Sequence, residues 1–192
     1  MSEDRSISRR ALVAAGVGAA VASAGVAKAQ GRLAPLTDLD PIRTELVMNV
    51  VVTCSAPEPM SNPQSKDGRR EVIWPIVGGR FEGPNIRGQV IPGGGDFPVM
   101  RPDGVMIIDA LYRLRTDDGV TLIIHNRGLA YPRSGNDRGK YRLVPEFTVP
   151  QGKYDWLNKS IFLCTLMETP PAMALAKGPN ENDRLLQIHR VL

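Results

Sequence analysis

"GVMIIDALYRLRTDDGVTLIIHNRG", residues 104–128, decides the fold class of this chain. Two runs rich in β-branched and aliphatic residues, 104–116 and 120–128, flank Asp117-Asp118-Gly119, and that pattern predicts a β-hairpin. "TDDGV" fits a three-residue loop, a type I turn closed by Gly119 in the left-handed region. Thr116 then pairs with Val120, Asp109 lies opposite Arg127, and Leu111 lies opposite His125. Because side chains alternate along a strand, Asp109, Leu111, Arg113, His125 and Arg127 share one face. Met106, Ile108, Ala110, Tyr112 and Leu114 line the other. A two-residue Asp118-Gly119 turn would instead set Asp109 against Gly128 and disperse the cluster; the three-residue loop is the preferred register.

Outward from the hairpin, the chain continues in the same style. "TELVMNVVVTCS" (44–55) reads as a Val-rich first strand, followed by a polar, Pro-rich loop over 56–70. "EVIWPIVGGRFEG" gives a short strand interrupted by Pro75, and "IRGQVIPGGGDF" another around Arg87–Ile91. "YRLVPEFTVP", "SIFLCTLME" and "RLLQIHRVL" add further strands, and only "PPAMALAK" reads as a short helix or turn. Strands at hairpin spacing, with few long segments free of Gly and Pro, indicate an all-β barrel or sandwich in one domain. The glycines of "GGRFEGPNIRGQVIPGGGDF" (78–97) have neither the spacing nor the following helix of a nucleotide loop. At this density in a strand-rich chain they mark bends, bulges and close backbone approach.

The N-terminus carries different information. Arg9-Arg10, an Ala/Val/Gly-rich apolar run and Ala27-Lys28-Ala29 form the pattern of a cleavable twin-arginine export signal over residues 1–29. The run from Ala11 to Val26 is shorter than the roughly 20 residues needed to span a bilayer. The expectation is therefore recognition by the twin-arginine export machinery, no membrane anchor after cleavage, and a periplasmic or secreted domain over 30–192. Four of the 24 basic residues (Arg5, Arg9, Arg10, Lys28) and two of the 20 acidic ones (Glu3, Asp4) belong to the signal. That leaves 20 against 18, a net charge of +2, with no basic run interleaved with aromatics, which speaks against nucleic-acid binding.

Chemistry-bearing residues are few. His125 and His189 are the two histidines and Cys54 and Cys164 the two cysteines, so a zinc site would consume nearly all of them. Neither metal nor cofactor is expected. The cysteines read as buried thiols or as one bridge in a compartment that permits disulfides. What remains is acid–base chemistry from carboxylate, histidine and tyrosine. Asp109 sits mid-strand among apolar residues, as an ion pair with Arg127, a solvent-facing residue, or a polar group in a barrel cavity. Arg87 and Arg127 are either structural or able to clamp a ligand carboxylate or phenolate.

The ordered motifs add a family. Gly-x-Phe-x-Gly-Pro at Gly79–Pro84, Gly-x-Val-x-Pro-Gly-Gly-x-Asp at Gly88–Asp96 and Asp-Ala-x-Tyr at Asp109–Tyr112 are followed by Thr-Asp-Asp-Gly, Asn126–Gly128 and Trp156-Leu157-Asn158. In these the chain, over roughly 40–192, resembles the DUF3237 (UPF0311) family of uncharacterised proteins. The resemblance implies a closed antiparallel β-barrel of about eight strands with a cavity at one mouth. Phe97, Leu111 and "LCTL" depart from the usual family residues, and Leu111 removes a possible pocket charge. On this basis the expected catalytic candidates are Asp96 and Asp109 as general acid and base, with His125 or Tyr112 assisting. Arg87, Asn126, Arg127, Trp156 and Asn158 are the expected ligand-binding candidates. The resemblance itself implies little about activity; with no redox-cofactor or metal motif in the chain, the expected function is an exported barrel that binds a small oxygenated molecule, aromatic or carboxylated, and acts on it as a cofactor-independent lyase, isomerase or hydratase. A non-catalytic binding barrel and a structural protein are the alternatives.

Overall fold

A computed structural model describes residues 40–60, 67–131 and 139–192. The export signal expected at 1–29 lies outside the described residues. Ten strands follow in chain order: β1 (Thr44–Cys54), β2 (Glu58–Pro59), β3 (Arg70–Gly83), β4 (Ile86–Asp96), β5 (Val99–Met100), β6 (Met106–Thr116), β7 (Thr121–Tyr131), β8 (Lys140–Thr148), β9 (Phe162–Glu168) and β10 (Asn182–Val191). Eight of them form one antiparallel sheet in the order β1-β10-β9-β8-β7-β6-β4-β3. Pairing of β3 with β1, from Asn49 opposite Glu82 to Cys54 opposite Ile76, closes that sheet into a barrel. The short β2 and β5 both add to β3, and β5 also pairs with β6.

The central hairpin has the expected register. Asp109 pairs with Arg127 and Leu111 with His125. The Thr116 N–H donates to the Val120 carbonyl at 2.9 Å, and Gly119 sits at φ +88°, as a three-residue loop requires. Alternation sets the wall: Ile108, Ala110, Tyr112 and Leu114 are buried inside, while Leu111, Arg113 and Arg115 are exposed outside. An eight-stranded barrel is just wide enough for side chains to fill it. Here Val50, Leu114, Leu122, Ile124 and Ile188 are fully buried. The molecule is packed through its middle.

Several local expectations are corrected. Pro75 does not interrupt its strand: β3 runs fourteen residues through it. Proline is tolerated in a sheet beside an irregularity, and the register of β3 shifts against both β1 and β4 close to Pro75. Its carbonyl still accepts the Ser55 N–H at 3.0 Å. The 56–70 loop contributes a short strand, Glu58–Pro59, that pairs with Ile73 and Val72 of β3, although residues 61–66 lie outside the described ones. Strand β4 extends from Ile86 to Asp96, well past Ile91. The "PPAMALAK" turn is a 3-10 turn at Pro171–Met173, as expected.

The glycines serve close approach. At Gly79 the backbone has φ +142°, and a Cβ would stand 2.1 Å from the Val51 carbonyl oxygen across the β1–β3 seam. That seam closes the barrel, so a side chain there has nowhere to go. Cys54 and Cys164 are buried free thiols. Burial pushes the first up to about 11 and the second up to about 12, which keeps both uncharged and unreactive near neutral pH.

Candidate functional site

The two ends of the barrel differ. At one end lie the β3–β4 and β6–β7 turns, and a 3-10 turn, Asp155–Lys159, lies over it. Leu157 and Phe162 are almost fully buried there, and Phe162 meets Phe147 edge-on at 5.1 Å between ring centroids. The Asn158 side chain holds the stopper in place: its Oδ1 accepts the Val149 N–H at 2.9 Å and its Nδ2 donates to the Val149 carbonyl at 2.8 Å. Asn158 and Trp156 are therefore parts of a plug rather than of a shared cavity with Asp96.

Arg87 is at this stoppered end too, paired with Asp117 at 3.0 Å. Both named as site candidates, Arg87 and Asp96 lie near opposite ends of β4, about 30 Å apart at the rise of an extended strand. Grooves of about 590 and 410 Å³ flank this end. Several of their charges are paired: Lys153 and the Tyr154 hydroxyl both engage Asp118, and Arg190 pairs with Glu45.

Asp109, His125 and Arg127 do share one face, as predicted, but that face is the outer wall. The apolar residues of β6 claim the interior, so alternation puts Asp109 outside. His125 Nε2 donates to Asp109 Oδ1 at 2.5 Å, and Arg127 pairs with Glu146 at 3.1 Å rather than with Asp109. Asp96 and Asp109 lie on neighbouring strands, but alternation puts their side chains on opposite faces of the barrel wall, and Asp109 is not among the residues lining the cavity at Asp96.

Asp96 is the candidate that faces inward. It pairs with Trp74 on one side and Ala110 on the other, at the end of the barrel opposite the stopper. A cavity of about 100 Å³, the space of roughly three liquid waters, opens there. Trp74, Asp96, Tyr141, Asn182, Arg184 and Cys54 are among its lining residues. The Arg184 guanidinium lies 5.9 Å from the Trp74 ring centroid. Asp96 Oδ1 accepts the Asp109 backbone N–H at 3.3 Å. Burial, with a smaller contribution from the Asp109 charge, outweighs that bond and raises the Asp96 carboxyl to about 6. Asn126 and Tyr112, also predicted, face inward and are buried, but neither is among the residues lining this cavity.

Sequence reasoning missed Trp74, Tyr141, Asn182 and Arg184. The signal for Arg184 was present: it shares the parity of Leu186 and Ile188, the inward face of β10. A charge on that parity belongs to a cavity or a mouth. Trp74 was obscured by Pro75, which made its strand look too short to have a defined face.

An antiparallel barrel of eight strands, packed through its middle, stoppered at one end and carrying a charged, aromatic-lined cavity at the other, is the class that this fold and site define. The family model described as a protein of unknown function, DUF3237, matches residues 42–171. The chain belongs to that family. It is 32% identical to a UPF0311 protein of Clostridium acetobutylicum over 152 residues, covering 73% of this chain and 95% of the relative. The crystal structure of a protein of unknown function from the same organism superposes with a TM-score of 0.67 at 26% identity, covering 80% of this chain and 99% of the other. A β-barrel-like protein from Acinetobacter baumannii gives 0.67 at 22% identity, and a protein described as an enzyme from Penicillium herquei gives 0.57 at 21%. Each of these two covers 80% of this chain and 98% of its own, and each shows the fold alone.

Proposed function

We propose that the protein binds a small oxygenated molecule in the Asp96 cavity and moves a proton on it. The observation that carries this reading is Asp96 itself, a carboxyl held in an aromatic-lined recess with its ionisation shifted to about 6. A group poised there both gives and takes protons near neutral pH, which is what general acid–base catalysis asks of it. Arg184 supplies the positive charge once expected from Arg87 or Arg127, and Trp74 and Tyr141 supply flat apolar walls. The reaction classes consistent with such a site are those of a lyase, isomerase or hydratase, in which proton transfer accompanies bond making or breaking. The Penicillium herquei protein is a precedent for enzymatic use of this barrel.

The test is a fragment screen read by NMR on the protein, with phenols, benzoates and small hydroxy acids as probes. Binders are expected to shift the Trp74 indole and Arg184 guanidinium resonances. If shifts fall instead on the grooves at the stoppered end, around Arg87 and Lys153, the site is misplaced.

The same proposal includes export. Its support is Arg9-Arg10, the apolar run and Ala27-Lys28-Ala29. Replacing both arginines, Arg9→Lys with Arg10→Lys, is expected to leave a longer, uncleaved chain in the cytoplasm. Unchanged processing and distribution in a cell-fractionation assay would rule out the twin-arginine route.

A further inference from the structure

One carboxyl and one guanidinium line the cavity opposite the stopper, and they do not pair with each other. Asp96 comes from β4 and Arg184 from β10, with Trp74 of β3 and Cys54 of β1 on the two strands between them. Both charged side chains are half-buried, so a molecule in the cavity can touch them. Arg184 Nη1 donates to the Asp183 carbonyl at 3.0 Å, and the guanidinium lies toward the Trp74 ring. Among the described residues Arg184 forms no ion pair. A guanidinium fixed in this way keeps further N–H donors for a ligand. In a cavity of about 100 Å³, a carboxylate bonded to Arg184 lies close to Asp96.

The other titratable groups nearby face elsewhere or carry no charge. Glu168, across from Arg184 on β9, is exposed and does not line the cavity. Asp183 alternates to the outer side, where its carboxylate accepts from the Thr53 hydroxyl at 2.6 Å and the Ala176 N–H at 2.8 Å. Asp109 stands on the outer wall, bonded to His125. Burial pushes the Cys54 thiol up to about 11 and holds the Tyr112 phenol well above its usual 10, so both stay protonated. Tyr141 is the remaining titratable group on the lining. An anion at Arg184 therefore meets one negative neighbour, Asp96. Two carboxylates side by side in a partly desolvated site do not both ionise, and the one not held by a cation takes the proton. Asp96 already favours its neutral form, with its ionisation raised to about 6.

We propose that the cavity binds a small carboxylate and takes up a proton with it: Arg184 holds the anion, and Asp96 is protonated in the complex. This inference rests on the proposed binding reading and gives it a substrate class, a carboxylic acid whose body lies along Trp74 and Tyr141. It also assigns the first proton transfer. A neutral Asp96 presents an O–H to the ligand, so it begins as the donor rather than the acceptor. Once pH rises past the titration of the empty site, the anion must compete with the Asp96 charge, and its affinity falls. A neutral molecule of the same shape escapes that competition and gains no charge-assisted bond from Arg184.

The experiment is calorimetric titration with benzoate and benzamide, probes of like shape that differ in charge, from pH 6 to pH 8, with Trp74 resonances followed in parallel. Benzoate is expected to bind roughly tenfold tighter than benzamide at pH 6, the effect of charge-assisted hydrogen bonds to a guanidinium. Its affinity is expected to fall roughly tenfold or more by pH 8, while that of benzamide stays level. At pH 7, titration in buffers of unlike ionisation enthalpy should show about one proton taken up per benzoate bound. Asp96→Asn is expected to bind benzoate with no proton uptake and no fall with pH, and Arg184→Met to lose the preference for benzoate. An aspartate serving only as structure would take up no proton on binding. Equal affinities for the two probes, or benzoate binding without proton uptake at pH 7, overturns the joint entry of anion and proton and leaves the cavity as a binding site. No heat and no shift at Trp74 with either probe at millimolar concentration overturns both.

Discussion

Asp96→Asn is expected to raise the melting temperature at pH 8 and, on the proposed acid–base reading, to abolish turnover. In the folded protein the Asp96 carboxyl titrates near 6, against 3.8 for an ordinary aspartate. The native state thus disfavours its charge, by about 3 kcal/mol on the scale of 1.36 kcal/mol per unit. Below pH 4 the group is neutral folded or unfolded, and the barrel has its full stability with respect to this residue. As pH rises from about 4 to 6 the unfolded chain ionises this carboxyl while the folded one stays neutral, so that stability is lost across this window and no more is lost above it. An asparagine is neutral throughout and keeps an oxygen for the Asp109 N–H. The variant should therefore match the parent near pH 4 and melt roughly 6–12 °C higher at pH 8. It cannot relay a proton, so any reaction that uses one from Asp96 stops. Thermal unfolding from pH 4 to 8 provides the check. A melting difference that does not grow with pH would mean that Asp96 is not held against its charge. Turnover surviving in the variant would remove Asp96 from the chemistry.

Gly79→Ala is expected to have the largest effect on folding. The added Cβ would meet the Val51 carbonyl oxygen at 2.1 Å and a Val90 methyl at 2.9 Å, on a backbone at φ +142°. Backbone strain of about 1–3 kcal/mol adds to a similar overpacking cost. A loss of about 4 kcal/mol, or roughly 8–16 °C in melting temperature, follows for a domain of this size. The strain falls on the β1–β3 seam, the one pairing that turns a sheet into a barrel. Denaturant titration measures it directly. A stability within experimental error of the parent would mean that the seam yields, and that Gly79 is there for some other reason.

The fold was legible where local chemistry was strong. Asp117-Asp118-Gly119 dictated a loop type, the loop dictated a register, and the register correctly ordered every side chain from Met106 to Arg127 by face. The family motifs then turned an undecided barrel-or-sandwich into a closed barrel. The site was less legible, because a period of two says which residues share a face but not which face is inside. For β6 that depended on Ile108, Ala110, Tyr112 and Leu114 outweighing Asp109, and the carboxylate drew attention that the apolar majority should have had. Distance along the strand was the second blind spot. Arg87 and Asp96 look like neighbours in a glycine-rich stretch, yet an extended chain carries them to opposite ends of the molecule. Asp96, Tyr112 and Asn126 do face the interior, while Trp74 was hidden although it pairs directly with Asp96 across the β3–β4 hairpin, and Arg184 comes from the last strand, brought near Asp96 only by barrel closure.

The stopper built from Leu157, Phe162 and the doubly hydrogen-bonded Asn158 has a kinetic corollary. With the far end plugged and the middle packed, molecules reach Asp96 and depart from it through the same doorway. Traffic is then one at a time: a departing product blocks the arrival of the next substrate. For any reaction housed here, the product should act as a competitive inhibitor against substrate, and the slow step at high product concentration should be the emptying of the cup.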